Sequence, residues 1–164
     1  MRSLRGLGLF VAGLFAGILL MQPSAAPQGK AAGLRLNHFG VYVKDFNRSV
    51  DFYEKTMGFP EAFSFKDKDG KPLITYLQLS RDTFVELQPA DAEHPVGFSH
   101  VGVWADDLNK TVAALRAKGV KMDDVEVRLS KAPLTNLIDP NGARIELLEY
   151  PPESLQRKAM NNWK

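Results

Sequence analysis

The sequence contains no cysteine. Disulfide bonds, thiolate nucleophiles, zinc sites built on cysteine and lipid attachment through an N-terminal cysteine are therefore excluded. A chain without thiols is compatible with an oxidising compartment. Metal binding by this chain would depend on its three histidines and on its carboxylates.

The sequence also lacks a large excess of charge of either sign. The net charge of +2 is small, and no basic stripe with interleaved aromatic residues is present, which excludes a nucleic-acid-binding protein. The apolar fraction of 45% and the charged fraction of 24% are those of a soluble globular protein. A chain of 164 residues can form one ordinary domain, or two small modules that share a core.

A long apolar run occurs near the N-terminus, at residues 7–21 (LGLFVAGLFAGILLM). Two arginines precede it and a segment rich in Pro, Ala and Gly follows, which predicts a secretory signal peptide and leader over residues 1–33. Residues 24–26 (SAA) form the best cleavage site, although Pro27 is unfavourable there. We expect an exported protein, periplasmic or secreted. The alternative is an uncleaved N-terminal anchor that holds the protein to a membrane, facing outward.

Two stretches of the sequence repeat each other. HFGVYVKDFNRSV begins at His38 and HVGVWADDLNKTV begins at His100, with His, Gly, Val, Asp, Asn and Val at the same offsets. Each stretch opens with the alternating pattern of a strand and continues with the spacing of an amphipathic helix. The sequence therefore predicts a duplicated strand–helix unit.

The ends of both helices are marked by suitable residues. Asp45 and Asp107 stand at N-cap positions, where a carboxylate can accept hydrogen bonds from free backbone N–H groups. Gly58 and Gly119 are placed to end the two helices. We therefore predict one helix after each first strand.

Three further strands are predicted after each helix: EAFSFKD, PLITYLQLS and TFVELQP in the first copy, and VEVRLS, PLTNLID and ARIELLEY in the second. The order strand, helix, three strands thus occurs twice, which predicts an α+β domain over residues 34–150. Module one spans 34–90 and module two spans 97–150. Such a unit completes its core by pairing with its copy. Residues 151–164 are expected to form a tail, as a terminal arm or a short helix.

Each predicted module carries one imidazole and one carboxylate on the sheet face away from its helix: His38 and Glu86, then His100 and Glu146. A carboxylate on an inner face is costly unless it is paired or binds a cation. Two imidazoles and two carboxylates neutralise a divalent ion and suit zinc, nickel, cobalt, iron or manganese. We therefore predict that these four residues hold a divalent metal.

Two glycines support this prediction, since Gly40 and Gly102 remove a side chain two residues after each histidine and leave room beside the metal. The third histidine, His94, stands beside Pro95 in the linker between the modules. We expect His94 to be a solvated loop residue.

At these residues the sequence resembles the vicinal oxygen chelate superfamily, which includes glyoxalase I, methylmalonyl-CoA epimerase, extradiol dioxygenases and drug-resistance proteins. The resemblance covers about residues 34–150, and its specific parts are HFGVYVKDFNRSVDFYEKTMGF, VELQ, SHVGVWADD and DPNGARIELLE. It implies two βαβββ modules that form a cupped, mostly antiparallel sheet around a metal. Glyoxalase I carries a His, Glu, His, Glu set that maps onto His38, Glu86, His100 and Glu146.

The resemblance implies a metal-dependent glyoxalase I-like lyase or isomerase. Its substrate would bind through vicinal oxygens, and Glu146 or Glu86 would move a proton at the carbon next to a carbonyl. An arginine that holds glutathione in glyoxalase I aligns with Tyr42 here, and an asparagine expected after VEL is missing. The residues expected to line the substrate pocket are Tyr42, Phe84, Gln88, Trp104 and Arg144. Arg144 would contact an anion or pair with a neighbouring acid.

Two other functions stay open. One is an exported small-molecule-binding protein that sequesters its ligand. The other is an iron-dependent ring-cleaving dioxygenase, for which only His94 remains as an additional histidine. Family members commonly form dimers, so a homodimer is expected. The sequence leaves open whether the metal site forms within one chain or between two.

Overall fold

A computed structural model describes residues 33–164. The predicted signal peptide, cleavage site and alternative anchor fall on residues 1–32 and lie outside the described residues. Within 33–164 the chain forms eight strands, three α-helices and one π-helical turn. The strands are β1 (Leu34–Val43), β2 (Glu61–Lys66), β3 (Pro72–Ser80), β4 (Thr83–Pro89), β5 (Gly97–Ala105), β6 (Glu126–Val127), β7 (Pro133–Ile138) and β8 (Arg144–Leu148). The helices are α1 (Phe46–Asp51), α2 (Leu108–Ala117) and α3 (Leu155–Asn162).

The strands form one sheet in the order β2-β3-β4-β1-β5-β8-β7-β6. The first strand of each module pairs in parallel with the last, β1 with β4 and β5 with β8. The other neighbouring strands are antiparallel, including β1 and β5, which join the two modules at the centre of the sheet. Residues of β2 and β7 line the same cavity, so the sheet curls into a cup. The predicted fold is confirmed.

The two faces of the sheet have different roles. On the convex face, Val41 and Val43 pack against α1, and Val103 and Leu147 pack against α2. These are the apolar positions that alternate with the predicted metal ligands. The opposite face carries a third apolar cluster around the metal ligands, formed by Tyr76, Phe84, Trp104, Leu134, Leu148, Tyr150 and Met160 with Ala132.

The helix ends agree with the predicted caps. The Asp45 side chain accepts a hydrogen bond from the backbone N–H of Arg48 at 3.0 Å, and Asp107 accepts one from Lys110 at 2.9 Å. Gly58 and Gly119 follow the helices with φ of 77° and 84°, in the left-handed region that glycine adopts without strain.

The first helix differs from the prediction because it changes to π-helical geometry over Phe52–Thr56. The N–H of Met57 bonds to the carbonyl of Phe52, five residues earlier, at 3.0 Å. Beyond this turn, the Phe59 ring stacks on Tyr53 at 6.2 Å between centroids. The wider turn therefore ends where an aromatic contact joins the helix to the segment that leads into β2.

The predicted strand VEVRLS is wrong in extent, since only Glu126–Val127 pairs with β7. The chain leaves the sheet at Arg128 and turns through Lys131, whose φ is 63°. The carbonyl of Ser130 then accepts a hydrogen bond from the N–H of Leu155 at 2.9 Å. This attachment to the start of α3 draws residues 128–132 away from the edge of the sheet.

The tail forms α3, capped by the Ser154 hydroxyl, which accepts from the N–H of Arg157 at 3.3 Å. Met160 is buried in the apolar cluster of the cup. The tail is thus a short helix, one of its two expected forms, and part of the core. None of the helices in 33–164 combines the length and the apolar character needed to span a bilayer.

Candidate metal centre

The four predicted ligands converge in the cup. One ligand atom from each of His38, Glu86, His100 and Glu146 lies within 4.8 Å of the others. The two imidazole Nε2 atoms are 2.9 Å apart. Glu146 Oε2 lies 3.4 Å from His38 Nε2 and 3.7 Å from His100 Nε2, and Glu86 Oε2 lies 3.6 and 3.7 Å from the same two atoms. All four side chains are buried, and all four come from one chain.

The sheet register explains this convergence. Gly40 of β1 stands beside Glu86 of β4 and opposite His100 of β5. Gly102 of β5 stands beside Glu146 of β8 and opposite His38 of β1. The antiparallel β1–β5 pair therefore relates the two modules by an approximate two-fold axis and brings each histidine close to the glutamate of either module.

The two glycines make room for the histidines of the opposite module. A Cβ atom built on Gly40 would overlap the His100 ring, and one on Gly102 would overlap the His38 ring. The sequence predicted free space beside a metal at these positions. The structure shows that each imidazole from the neighbouring strand occupies this space, which lets the two Nε2 atoms meet.

A β-bulge precedes each histidine. Asn37 is the extra residue on β1 between the pairs formed by Leu36 and His38, and Ser99 is the extra residue on β5 just before His100. A bulge re-aims the neighbouring side chains, so two successive residues can point toward the same site. Each histidine is consequently preceded by a polar side chain that reaches its Nδ1 atom.

On His38, the Nδ1 atom lies 3.0 Å from Asn37 Oδ1. The orientation of the Asn37 amide follows from its other partners, because its Nδ2 donates to the carbonyl of Asp82 at 2.7 Å and its Oδ1 accepts from the Tyr150 hydroxyl at 2.6 Å. His38 Nδ1 therefore carries the proton, and the lone pair of Nε2 faces the cluster.

On His100, the Nδ1 atom lies 3.0 Å from Ser99 Oγ. The Arg144 guanidinium is close to both, with Nη2 2.7 Å from His100 Nδ1 and 3.0 Å from Ser99 Oγ. Because arginine only donates hydrogen bonds, Arg144 Nη2 donates to His100 Nδ1 and to Ser99 Oγ, and these contacts hold the ring with Nε2 turned toward the cluster. The polar residue before each histidine thus holds the ring in the orientation that a metal ligand requires.

The two carboxylates have different hydrogen-bond partners. Glu86 accepts hydrogen bonds from the Tyr76 hydroxyl and from Gln88 Nε2. Tyr76 stands opposite Glu86 in the β3–β4 pair, whereas Asn136 stands opposite Glu146 in the β7–β8 pair. Among the described residues, the side chains close to the Glu146 carboxylate are the two histidines. Glu86 is therefore held on two sides, and Glu146 is not.

Burial changes the protonation of these groups. It raises the pKa of Glu86, and it raises the pKa of Tyr76 together with the charges of the two glutamates. Burial also raises the pKa of Glu146, but the neighbouring His38, His100 and Arg144 outweigh it and leave this pKa below its ordinary value. Burial and the nearby His38 lower the pKa of His100 to about 3. A neutral imidazole at His100 beside an ionised Glu146 fits a divalent cation.

A cavity of about 180 Å³ opens beside these groups. Its polar side consists of Glu86, His100 and Glu146 with Tyr76, Gln88, Ser130, Arg128 and Arg144. Its apolar side consists of Phe65, Ile74, Leu129, Leu134 and Leu148. Both modules contribute residues to this single cavity.

Two of the predicted pocket residues, Gln88 and Arg144, line this cavity, and three do not. Phe84 is fully buried with its ring edge-on to Tyr76. Trp104 is covered by Tyr150 and by the guanidiniums of Arg35 and Arg157. These side chains share the sheet face of the ligands but lie in the apolar cluster, which corrects the prediction.

The third of these residues, Tyr42, stacks beside His94 of the linker, with ring centroids 4.9 Å apart. The linker therefore covers the end of β1, and Tyr42 does not reach the cavity. His94 itself is 46% exposed at its side chain and bonds to Asp91, as expected for a loop residue.

Sequence reasoning missed Asn37, Ser99, Tyr76 and Tyr150. A signal was present for the first two, because a polar residue capable of accepting a hydrogen bond precedes both repeated histidines. For Tyr76 the repeat gives no signal, since its partner at the corresponding register position is Asn136.

Comparison with known proteins identifies relatives of this fold. The family model described as the Glyoxalase/Bleomycin resistance protein/Dioxygenase superfamily matches residues 35–147. Glyoxalase I of Saccharomyces cerevisiae is 29% identical over 150 residues, which cover 71% of this chain and 45% of that protein. Lactoylglutathione lyase of Haemophilus influenzae is 23% identical over 125 residues, which cover 71% of this chain and 93% of that protein. This chain thus spans less than half the length of the yeast relative.

Among solved structures, methylmalonyl-CoA epimerase from Mycobacterium tuberculosis matches with a TM-score of 0.62 and 18% identity, covering 75% of this chain and 93% of that one. At this identity the likeness concerns the fold. It agrees with the paired modules described above.

Proposed function

Because this chain belongs to the glyoxalase/bleomycin resistance protein/dioxygenase superfamily, we propose that it is a metal-dependent enzyme of the glyoxalase I-like kind, a lyase or isomerase. It would act on a small substrate bound through vicinal oxygens and would transfer a proton at the carbon next to a carbonyl. The observation that carries the proposal is the convergence of two imidazoles and two carboxylates within 4.8 Å in a buried cup.

His38, Glu86, His100 and Glu146 would hold the ion, and the donor set suits zinc, nickel, cobalt, iron or manganese. A divalent ion at this position supplies a Lewis acid that polarises a substrate carbonyl. The two positive charges of the ion would be offset by the two glutamates. The ion would in turn compensate the negative charges of these buried carboxylates, whose burial is otherwise unfavourable. Asn37 and Ser99 would keep both imidazoles oriented.

Glu146 is the better candidate for the group that moves the proton. The Glu86 carboxylate is held by Tyr76 and Gln88, so it suits a fixed ligand. Glu146 lines the cavity and lacks such donors within the described part of the chain. Its lowered pKa keeps the carboxylate ionised at neutral pH but also makes it a weaker base, so the lack of fixing hydrogen bonds, and not the pKa, favours Glu146 over Glu86.

The relatives named glyoxalase I and lactoylglutathione lyase support a lyase or isomerase. The substrate of this chain is a separate question, because Tyr42 replaces an arginine that glyoxalase I uses for glutathione. The cavity of about 180 Å³ is also smaller than sites that enclose drug-sized ligands. Small α-keto aldehydes, with and without thiols including glutathione, are therefore the first compounds to test.

The test combines metal analysis with a rate measurement. Purified protein should contain about one divalent ion per chain, and replacing both His38 and His100 by alanine should abolish its retention. Glu146→Gln should lose rate while retaining much of its affinity for substrate. His94→Gln, in the exposed linker, is the control and should keep both properties. A wild-type protein that retains no divalent ion would refute the proposal.

The same variant distinguishes an enzyme from a sequestering protein. A protein that only binds its ligand has no rate for Glu146→Gln to reduce, so retention of ligand without turnover in the wild type would favour sequestration. A ring-cleaving dioxygenase would consume oxygen with a catechol when loaded with iron.

We further propose that the protein is exported and forms a homodimer. The signal-peptide pattern of residues 1–32 supports export. Sequencing the N-terminus of the protein recovered from cells would test it. Sedimentation of the purified protein would test the second. A cytoplasmic product with an intact N-terminus would contradict export, and a monomer at micromolar concentration would contradict the dimer.

A further inference from the structure

Arg144 is half-buried on the cavity wall beside His100. Its guanidinium contacts uncharged groups: Ser99 Oγ at 3.0 Å, His100 Nδ1 at 2.7 Å and Asn136 Oδ1 at 3.4 Å. Within residues 33–164 it forms no ion pair with a carboxylate, whereas Arg128, the other arginine of the cavity, is paired with Glu126. The neighbouring acid predicted as one alternative partner of Arg144 is thus not found among the described residues.

The charges around the cavity leave Arg144 uncompensated. Glu86 and Glu146 together offset one divalent ion, and a histidine that binds a metal does so as a neutral imidazole. The remaining charge is the single positive charge of Arg144. A partly desolvated cation without a counter-ion is unfavourable, and a ligand with one negative charge would relieve this cost.

The duplication shows that the fold does not require an arginine at this position. Arg144 precedes Glu146 by two residues, and the corresponding residue of module one is Phe84, two residues before Glu86. Phe84 is fully buried, so an apolar side chain satisfies the equivalent strand position. The arginine therefore has a role other than packing.

The rest of the cavity limits the size and character of the ligand. The volume of about 180 Å³ admits only a few heavy atoms beyond those that approach the metal ligands. Arg128, the other arginine of the cavity, is already paired with Glu126, and the wall formed by Ile74, Leu134 and Leu148 is apolar. A monoanion with a short carbon skeleton matches both limits.

Building on the function proposed above, we propose that Arg144 is a specificity-determining residue that selects a small carboxylate-bearing substrate. Its planar guanidinium can bind a carboxylate through two parallel hydrogen bonds. A carboxylate carries the single charge that the cavity lacks, whereas a phosphate monoester carries nearly two at neutral pH. The vicinal oxygens of the substrate would lie toward His38, Glu86, His100 and Glu146, with its carboxylate toward Arg144.

Three compounds with one carbon skeleton test this proposal on zinc-loaded protein. Glycerate has vicinal hydroxyls and a carboxylate, glycerol has the hydroxyls alone, and glycerol 3-phosphate has a phosphate. Calorimetric or NMR titration should show glycerate binding about tenfold or more tightly than glycerol, because a hydrogen bond between charged groups is the strongest polar contact available here. Arg144→Gln should remove this preference, and Arg144→Lys should retain part of it.

Arg81→Gln, in the exposed turn between β3 and β4, removes the same charge far from the cavity and should keep the preference. Zinc content is measured in each variant. Zinc-loaded wild-type protein that binds glycerate and glycerol equally, or an Arg144→Gln variant that keeps the preference, would overturn this inference alone. Tighter binding of glycerol 3-phosphate would overturn the choice of a carboxylate. Wild-type protein that retains no divalent ion of any kind would refute the proposed function as well.

Discussion

Single residues make the two halves of the site unequal, although the modules repeat. Glu86 receives hydrogen bonds from Tyr76 and Gln88, and Glu146 receives none from the corresponding strand neighbours. An approximately symmetric set of ligands thus contains one fixed carboxylate and one freer carboxylate. The two glutamates are chemically identical, so their different roles follow from the residues around them.

Tyr76→Phe tests the fixing of Glu86. Removing the hydroxyl deletes one of the two donors to the carboxylate while the ring can keep its stacking on Phe63. We expect metal affinity to fall by roughly 10- to 100-fold, as for other residues that orient metal ligands. Competition with a chelating dye measures the affinity. Tyr53→Phe removes a hydroxyl from the π-helical turn on the opposite face of the sheet and should have no effect. Equal affinity of Tyr76→Phe and wild type would show that Gln88 alone suffices.

His100 should make the stability of the metal-free protein depend on pH. Its pKa is about 3 in the folded chain and ordinarily 6.5, so between these values the unfolded chain binds one more proton. The free energy of unfolding therefore falls as the pH falls through this window. From pH 6.5 to 5 the loss should be about 1 to 2 kcal/mol greater in wild type than in His100→Gln. Urea unfolding of chelator-treated protein measures it, and parallel pH profiles would contradict the prediction.

At the scale of strands, the register of β1 against β5 positions the site. The two bulges, at Asn37 and Ser99, turn a polar side chain toward the Nδ1 atom of each histidine. The two glycines opposite the histidines let the rings cross from one strand to the other. Strand pairing therefore sets the positions of both imidazoles and the tautomer of His38.

Gly102→Ala should disrupt this crossing. The added Cβ would overlap the His38 ring, so the imidazole must leave the cluster. We expect loss of metal retention together with destabilisation of about 1 to 3 kcal/mol, the usual cost of overpacking a core. Gly119→Ala is the matched control, because a Cβ added there contacts no neighbouring atom. It should lower stability because alanine is strained at a φ of 84°, and it should leave the metal content unchanged. Normal metal content in Gly102→Ala would show that the ring can move aside.

The sequence was most informative about elements that repeat. Alternation predicted which strand face carries His38 and Glu86, and the paired aspartates predicted both helix starts, because these features depend on local spacing. Local spacing could not predict which side chains line the cavity. Trp104 lies on the predicted face of the sheet, but Tyr150 and Arg157 cover its ring. VEVRLS has the alternating pattern of a strand, but its end leaves the sheet and bonds to the start of α3. These outcomes depend on contacts between segments that are distant in sequence.

At the scale of the whole molecule, the proposed metal would connect the two modules. Each supplies one histidine and one glutamate, and an ion bound to all four would hold β4 and β8 to the central strands. Metal that binds only the folded chain should therefore stabilise it, by about 4 kcal/mol when the free ion is a thousand times its dissociation constant. Thermal unfolding before and after chelation measures this. An unchanged Tm in a protein that demonstrably binds the ion would contradict it.

The origin of all four ligands in one chain predicts that metal binding does not depend on dimerisation. The ligand atoms lie within 4.8 Å of one another without a second copy, so a monomer has the complete donor set. Protein diluted until light scattering reports the mass of a monomer should retain about one ion per chain by elemental analysis. His38→Ala is the control that should lose the ion at every concentration. Release of the ion in step with dissociation would mean that a partner chain supplies or braces a ligand, and the site would then belong to the dimer.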